Sequence, residues 1–165
     1  MMMCFSEYVK DNRWEFCAGV EEICNDLGIE MVWLMFVMYF ESKLNPKSVN
    51  PISGATGLIQ FMPNTARSLG TTTEALKNMS NLEQLKFVHA YLRRHKGKMK
   101  SWIDVYLAVF YPVAMGRGDS YKITRPIVAK QNPIFDINKD GVIEVREIKQ
   151  ALRKHIPKKY NSLLE

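Results

Sequence analysis

The chain has 165 residues, 47% of them hydrophobic and 24% charged. That balance excludes a disordered, low-complexity or collagen-like chain, and the length supports one domain with a substantial core while excluding a second full one. Lys and Arg number 23 against 17 Asp and Glu, and the resulting charge of +6 favours an anionic partner, whether nucleic acid, a membrane surface or a bacterial wall.

Residues 1–16 include Glu7, Lys10, Asp11, Arg13 and Glu15 and lack the basic start and apolar stretch of an export signal. Cys4, Cys17 and Cys24 form an odd set with no C-x-x-C pair, so core thiols are expected rather than a disulfide framework or a metal site. Asn12 is placed to cap a helix over Arg13 to Leu27, with Trp14, Ala18, Ile23 and Leu27 on its inner side and Gly28 as its stop. A second helix over Ile29 to Phe40 is apolar on every side, which suits the middle of a domain. Its unbroken apolar run, Met31 to Phe40, is ten residues long, short of the roughly 18 to 20 that cross a bilayer, so no membrane span is expected.

Asn45-Pro46, Asn50-Pro51 and Gly54 break the next stretch into a long loop. A short helical turn is expected around Gly57 to Met62, and Pro63 can open a helix running to Leu69. Ser80 and Glu83 form a capping box for a helix to about Lys96, with Leu82, Leu85, Val88 and Leu92 facing inward. Ser101 to Asp104 opens another helix, closed by Pro112. A weak helix over Thr124 to Lys130 and a final one over Val145 to His155 complete an all-α reading without internal repeats.

The chemistry gathers around Glu41, at the end of the most apolar helix. Desolvation and the negative end of the helix dipole both disfavour a charged carboxylate there, so its pKa should rise toward the range of a general acid at neutral pH, with Lys43 opposing. Further on, Gly54 and Gly57 let the backbone approach a neighbour closely, and Gln60 offers both a donor and an acceptor suited to a sugar amide.

Glu41-Ser42, then Gly54-Ala55-x-Gly57-Leu58-x-Gln60, then Met62-Pro63-x-Thr65-Ala66 resembles the signature of the soluble lytic transglycosylase (SLT) family of the lysozyme-like superfamily. The likeness covers about Val32 to Leu69, with weaker agreement in helix order out to Tyr111. Ile59 stands where the family has Met. The family's later Ala-Tyr-Asn is met by Phe110-Tyr111-Pro112, which keeps the Tyr and puts a residue without a side-chain donor in place of the Asn.

The resemblance implies a lysozyme-like helical domain with a long active-site loop after the central buried helix. It implies cleavage of the β-1,4 bond between N-acetylmuramic acid and N-acetylglucosamine in peptidoglycan by one carboxyl, that of Glu41. Glu41 would protonate the leaving oxygen and then act as base on the muramic 6-hydroxyl, giving a 1,6-anhydro end without water. Ser42 and Tyr111 would orient Glu41 or the substrate, and Gln60 with the Gly57 backbone would hold the sugar. Many glycosidases use two carboxylates across the bond; Asp104 and Asp119 are the candidates for a second, although Asp commonly caps helices or makes turns. Two rivals are a goose-type-like lysozyme that hydrolyses the same bond and a non-catalytic calcium-binding protein with a structural or wall-binding role.

Near the C-terminus, Asp136-Ile137-Asn138-Lys139-Asp140-Gly141-Val142-Ile143-Glu144-Val145-Arg146-Glu147 satisfies the 12-residue EF-hand calcium pattern. Asp136, Asn138 and Asp140 would be side-chain ligands, Val142 a carbonyl ligand, Glu144 a direct or water-mediated one and Glu147 a bidentate one. Pro133 stands where an entering helix would run, so a loop with one good helix after it is expected, binding Ca²⁺ as a structural staple with no organic cofactor. The expected organisation is a lysozyme-like domain over 1–132 with the calcium loop and last helix, 133–165, packed on it.

His89, His95 and His155 are not at ligand spacing and read as solvated. Met1, Met2, Met3, Met31, Met35 and Met38 read as start-site or gap-filling residues. The basic cluster Arg93, Arg94, Lys96, Lys98 and Lys100 reads as a solvated face able to attract the anionic wall polymer. Nucleic-acid binding is not expected, because no stacking motif or recognition helix accompanies the charge. A monomer acting on the cell wall, delivered without a Sec signal and by a phage particle as one route, is the resulting expectation.

Overall fold

The computed structural model describes residues 4–164, and Met1, Met2 and Met3 lie outside the described residues. After a 3₁₀ turn at Ser6–Tyr8, α1 (Arg13–Leu27) and α2 (Met31–Ser42) have the expected limits to within two residues and meet at 119°. The capping of α1 differs from expectation. Asn12 takes a left-handed conformation, and its amide donates to Asn81 Oδ1 at 3.2 Å instead of closing the helix. The buried face of α1 is Phe16, Val20, Ile23, Cys24 and Leu27, a run of i, i+4 and i+7 spacings. Trp14 is 75% exposed and Ala18 is also exposed, so neither belongs to the inner side.

In α2, Leu34 to Met38 are all buried, against α1 on one side and α6 (Trp102–Phe110) on another. Burial of each such side chain stabilises the fold by about 1.5–3 kcal/mol, enough to fix the helix as a rigid mount for its own C-terminus. Two non-glycine residues follow in the left-handed region, Lys43 at φ 55° and Leu44 at φ 61°. They reverse the chain at a strain of about 1–2 kcal/mol each. Backbone N–H bonds from Lys43 to Tyr39 O (2.8 Å) and from Leu44 to Met38 O (3.3 Å) hold that reversal.

The loop after α2 does not form the expected helical turn at Gly57 to Met62. Thr56 and Phe61 exchange backbone bonds of 3.0 and 2.9 Å, and bridges Val49 to Thr56 and Thr56 to Phe61 make a small pinned hairpin. Helix α3 (Pro63–Ser68) opens on its proline as expected. A further short helix, α4 (Thr73–Lys77), is capped by Thr72, whose hydroxyl accepts the Ala75 amide at 3.0 Å. Helix α5 (Asn81–Arg93) is capped by Ser80 on Glu83 N at 3.1 Å, and α6 follows.

After α6 the chain forms a 3₁₀ turn at Pro112–Ala114, then β1 (Lys122–Ile123), α7 (Pro126–Gln131), β2 (Ile143–Glu144) and α8 (Val145–His155). The two short strands pair antiparallel, Lys122 with Glu144 and Ile123 with Ile143; they are the small exception to an otherwise helical molecule. Phe135, Ile143, Ile148 and Leu152 join the same core as Val37 and Leu107. The closing 3₁₀ segment, Lys158–Leu164, returns to the start: the Tyr160 hydroxyl accepts the Phe5 amide at 3.2 Å and donates to Glu7 at 2.6 Å. Cys24 is a core thiol, whereas Cys4 and Cys17 are only half-buried. Among the described residues no single helix is long and apolar enough to cross a membrane.

Candidate active site

Glu41 occupies the last turn of α2, flanked by Phe40 and Ser42. The residue keeps a partly exposed edge, but its carboxyl is enclosed, and burial pushes its pKa up to about 8, with the nearby Tyr106 phenol pulling the other way. Tyr106 projects from α6 and is itself buried; desolvation and the neighbouring Glu41 raise its phenol well above the usual range. Phe40 and Tyr106 meet edge to face at 5.6 Å between ring centres. Lys43 does not pair with Glu41. Its ammonium lies over the Tyr39 ring, 4.0 Å from the centre. Tyr106 was not among the sequence candidates; its signal was a hydroxyl-bearing aromatic inside the apolar run Trp102 to Phe110.

Ser42 is buried, and its hydroxyl lies 2.9 Å from Met38 O and 2.8 Å from Leu58 O. It ties the helix end to the following loop, so it supports the site from beneath rather than contacting a sugar. Gly57 is also buried, at φ 89°, its N–H donating to Ser48 O at 2.8 Å and its carbonyl accepting from Gln60. With both polar groups engaged inside the protein, Gly57 supplies space instead of a sugar-binding backbone. A Cβ there would stand 2.6 Å from Gln84 Oε1.

Gln84 explains that glycine. Fully buried on α5, it accepts the Leu58 amide at 3.0 Å and donates to Pro46 O (2.6 Å) and Leu76 O (2.7 Å). One side-chain amide thereby fastens two points of the loop, Pro46 and Leu58, to α4 at Leu76. Its sequence signal was a polar residue at inner-face spacing beside Leu85 and Val88.

Gln60 has φ 55°, and its amide nitrogen donates to Ser48 O and Gly57 O, each at 3.1 Å. Both N–H bonds are thus used in the protein, and the amide oxygen is the group left for a substrate donor. A cavity of about 550 Å³ beside the helix end is lined by Tyr39, Ser42, Lys43 and Ser48. Glu41 is not in its wall, because residues 39, 42 and 43 share the opposite side of α2.

Tyr111 ends α6, its amide donating to Leu107 O at 2.7 Å, and its half-buried side chain packs on the core edge. Pro112 starts the next 3₁₀ turn and is exposed. Neither candidate for a second carboxylate faces Glu41. Asp104 is buried, one oxygen on Lys100 N (2.9 Å) and the other on Gly116 N (3.1 Å), as a clamp between the two ends of its segment. Asp119 is exposed and bonds Lys149 Nζ at 2.6 Å, which lowers its pKa.

The stretch 136–147 follows α7 after a turn, without an entering helix. Asp136 accepts the amides of Asp140 (3.1 Å) and Gly141 (3.0 Å), Asn138 accepts Asp140 N (3.1 Å) and Asp140 accepts Val142 N (2.9 Å). Glu147 closes the ring from the far side, its buried carboxylate on the amides of Ile137, Asn138 and Glu144 at 3.1, 3.2 and 2.8 Å. Glu144 turns toward Arg146 (2.7 Å) and Lys122 (3.9 Å). Among the described residues no three His, Cys, Asp or Glu side chains converge as a metal-binding group. The donors that the pattern offers are all oxygen, the type a hard cation takes; here Asp136, Asn138 and Asp140 Oδ1 accept backbone amides within the loop, and Asp140 Oδ2 accepts the Asn138 side-chain amide at 3.2 Å.

The molecule is thus a helical domain with a carboxyl enclosed at the end of its central helix, beside a loop pinned by Ser42 and Gln84. The family model for the transglycosylase SLT domain matches residues 20–111, and the chain belongs to that family of lytic transglycosylases acting on the peptidoglycan of the cell wall. Neither a curated protein nor a solved structure matches the chain. The matched stretch holds Glu41, Ser42, Gly57, Gln60 and Tyr111, and ends where Pro112 begins.

Proposed function

We propose that Glu41 alone carries both proton transfers of the peptidoglycan-cleaving reaction. What supports this is the enclosure of the Glu41 carboxyl at the end of α2, at the motif's acid position, where burial pushes its pKa up to about 8, while Asp104 and Asp119 are engaged elsewhere. Protonated Glu41 gives its proton to the oxygen between N-acetylmuramic acid and N-acetylglucosamine, and the C1–O bond breaks with its electron pair leaving on that oxygen. The resulting carboxylate faces the positive muramic C1, accepts the proton of the muramic 6-hydroxyl, and O6 closes onto C1. The product is a 1,6-anhydro end, and Glu41 is protonated again without water entering the balance. The Gln60 amide oxygen and the Tyr111 side chain are assigned to the sugar.

The loop 136–147 is assigned a bound Ca²⁺ held by Asp136, Asn138, Asp140, the Val142 carbonyl and Glu147, with Glu144 reaching it through water. The ion would link the segment after α7 to α8 and supplies no group to the cleavage step.

Mass spectrometry of the fragments released from purified peptidoglycan tests the reading. Anhydromuramic ends, resistant to borohydride, are expected. Fragments heavier by one water and reducible by borohydride would assign a hydrolytic, goose-type-like reaction. No release from any wall chemotype would assign a wall-binding role without turnover.

A further inference from the structure

The wall behind Glu41 is completed from outside the family's matched stretch. Phe135, between α7 and the loop, is buried and lies 6.4 Å from Phe40, 5.9 Å from Tyr106 and 5.2 Å from Phe110, ring centre to ring centre. Tyr106 also stacks on Phe110 at 5.7 Å and meets Phe40 at 5.6 Å, which closes a four-ring cluster. Two of those rings bear directly on the acid. Phe40 is its chain neighbour, and the buried Tyr106 phenol lies close enough to its carboxyl for each to shift the other's pKa.

We propose that Phe135 is a positioning residue for the cleavage reaction, holding Phe40 and Tyr106 so that the Glu41 carboxyl stays dry and aimed. The proposal rests on the reading of Glu41 as the acid. Its physical basis is packing: aromatic pairs at these separations contribute about 0.5–1.5 kcal/mol each beyond burial, and a displaced Phe135 would free Tyr106 to move and admit water beside Glu41. Hydration favours the charged carboxylate, so the acid would lose its proton at lower pH. The titratable groups facing this cluster are Tyr106 from α6 and His155 from α8, whose ring stands edge-on to Phe40 at 5.7 Å.

The experiment compares the purified chain with Phe135→Ala, Phe135→Leu, His155→Gln and Glu41→Gln on soluble glycan strands, across pH and below each melting temperature. Phe135→Ala is expected to lower kcat about tenfold while the half-saturating strand concentration stays within about twofold, a loss of aim rather than of binding. Its high-pH limb should move down by about half a unit or more, with Phe135→Leu showing a smaller shift in the same direction. His155→Gln should leave the limb in place.

A folded Phe135→Ala with the wild-type limb and kcat overturns the proposal, as does a limb that follows His155→Gln but ignores Phe135. If Phe135→Ala does not fold, Phe135→Leu decides, and an unmoved limb there overturns it equally. An active Glu41→Gln would remove the reading of Glu41 itself and this proposal with it. An inactive one combined with unmoved limbs removes only the role of Phe135.

Discussion

Gln84 Oε1 lies where a side chain on Gly57 would have to begin, the built Cβ falling 2.6 Å from it. Gly57→Ala therefore meets two penalties. Its φ of 89° is strained for any L side chain, and the methyl displaces an amide that holds Leu58 N, Pro46 O and Leu76 O. A loss of about 2–4 kcal/mol in urea unfolding is expected from the conformational strain and at least one buried group left unpaired. Gln84→Leu should cost at least as much, since it strands all three partners. A Gly57→Ala variant within experimental error of wild type would contradict this account of the loop.

The raised pKa of Glu41 makes a stability claim whose sign differs from that of most surface acids. Its folded value is about 8 against an ordinary value of 4.5, so the folded state holds a proton that the unfolded state releases. The stability associated with this group is fully present below about pH 4.5 and is lost as pH rises through 8. Glu41→Gln, which carries no charge at any pH, should lose lysis of purified peptidoglycan while melting higher than wild type, and the gap should widen from pH 5 to pH 8. Activity should fall as pH rises through about 8, where the acid form disappears. Retention of more than about a few per cent of the rate by a folded Glu41→Gln would remove it as the acid.

Much of this was readable in the sequence wherever a local signal decided the outcome. Ser80 with Glu83, Pro63, Gly28 and Pro112 punctuate helices by capping or by missing donors, and each limit fell within a few residues. Trp14 departs from the expected inner side because an apolar residue near a helix start fits either of two faces until the partner helix is in place. The segment Gly57 to Met62 departs from the expected helical turn because Gln84, 26 residues away, holds it through the Leu58 amide. Glu41 stands out in the sequence through the motif it heads with Ser42 and the stretch Gly54 to Ala66, whereas its Tyr106 neighbour and the Phe135 wall depend on how α2, α6 and the segment before α8 come together. Ser42 and Gly57 were legible as important positions, but their bonds to Leu58 O and Ser48 O place them in the support of the site.

Asp104→Asn separates support from catalysis on α6. The replacement puts an amide nitrogen against one of two backbone donors, Lys100 N or Gly116 N, which should cost about 1–3 kcal/mol. The rate on purified peptidoglycan at a temperature well below melting should stay near that of wild type, with anhydro products unchanged. A fall of about a hundredfold in a folded Asp104→Asn, the size expected for removal of an acid or base, would make Asp104 the second carboxylate and favour hydrolysis.

Calcium should act on the melting temperature rather than on the chemical step. An ion bound only by the folded state stabilises it by RT ln(1 + [L]/Kd), about 2.7 kcal/mol at a hundredfold excess over Kd. For a domain of this size that raises melting by about 5–10 °C. Mg²⁺ should raise it less, because a ring with a bidentate carboxylate is too large for a small octahedral shell. Glu147 already holds the amides of Ile137, Asn138 and Glu144, so Glu147→Gln lowers stability with or without metal, and the informative quantity is the increment on adding calcium. That increment should nearly vanish in Glu147→Gln and in Asp140→Ala, whose side chain is exposed and bonds mainly within the loop. Phe135 is anchored by Phe40, Tyr106 and Phe110, so chelation well below melting should leave the rate in place. Calorimetric traces that superimpose with calcium and with chelator would remove the ion from the loop, and a rate that collapses on chelation of a fully folded protein would give it a part in the reaction.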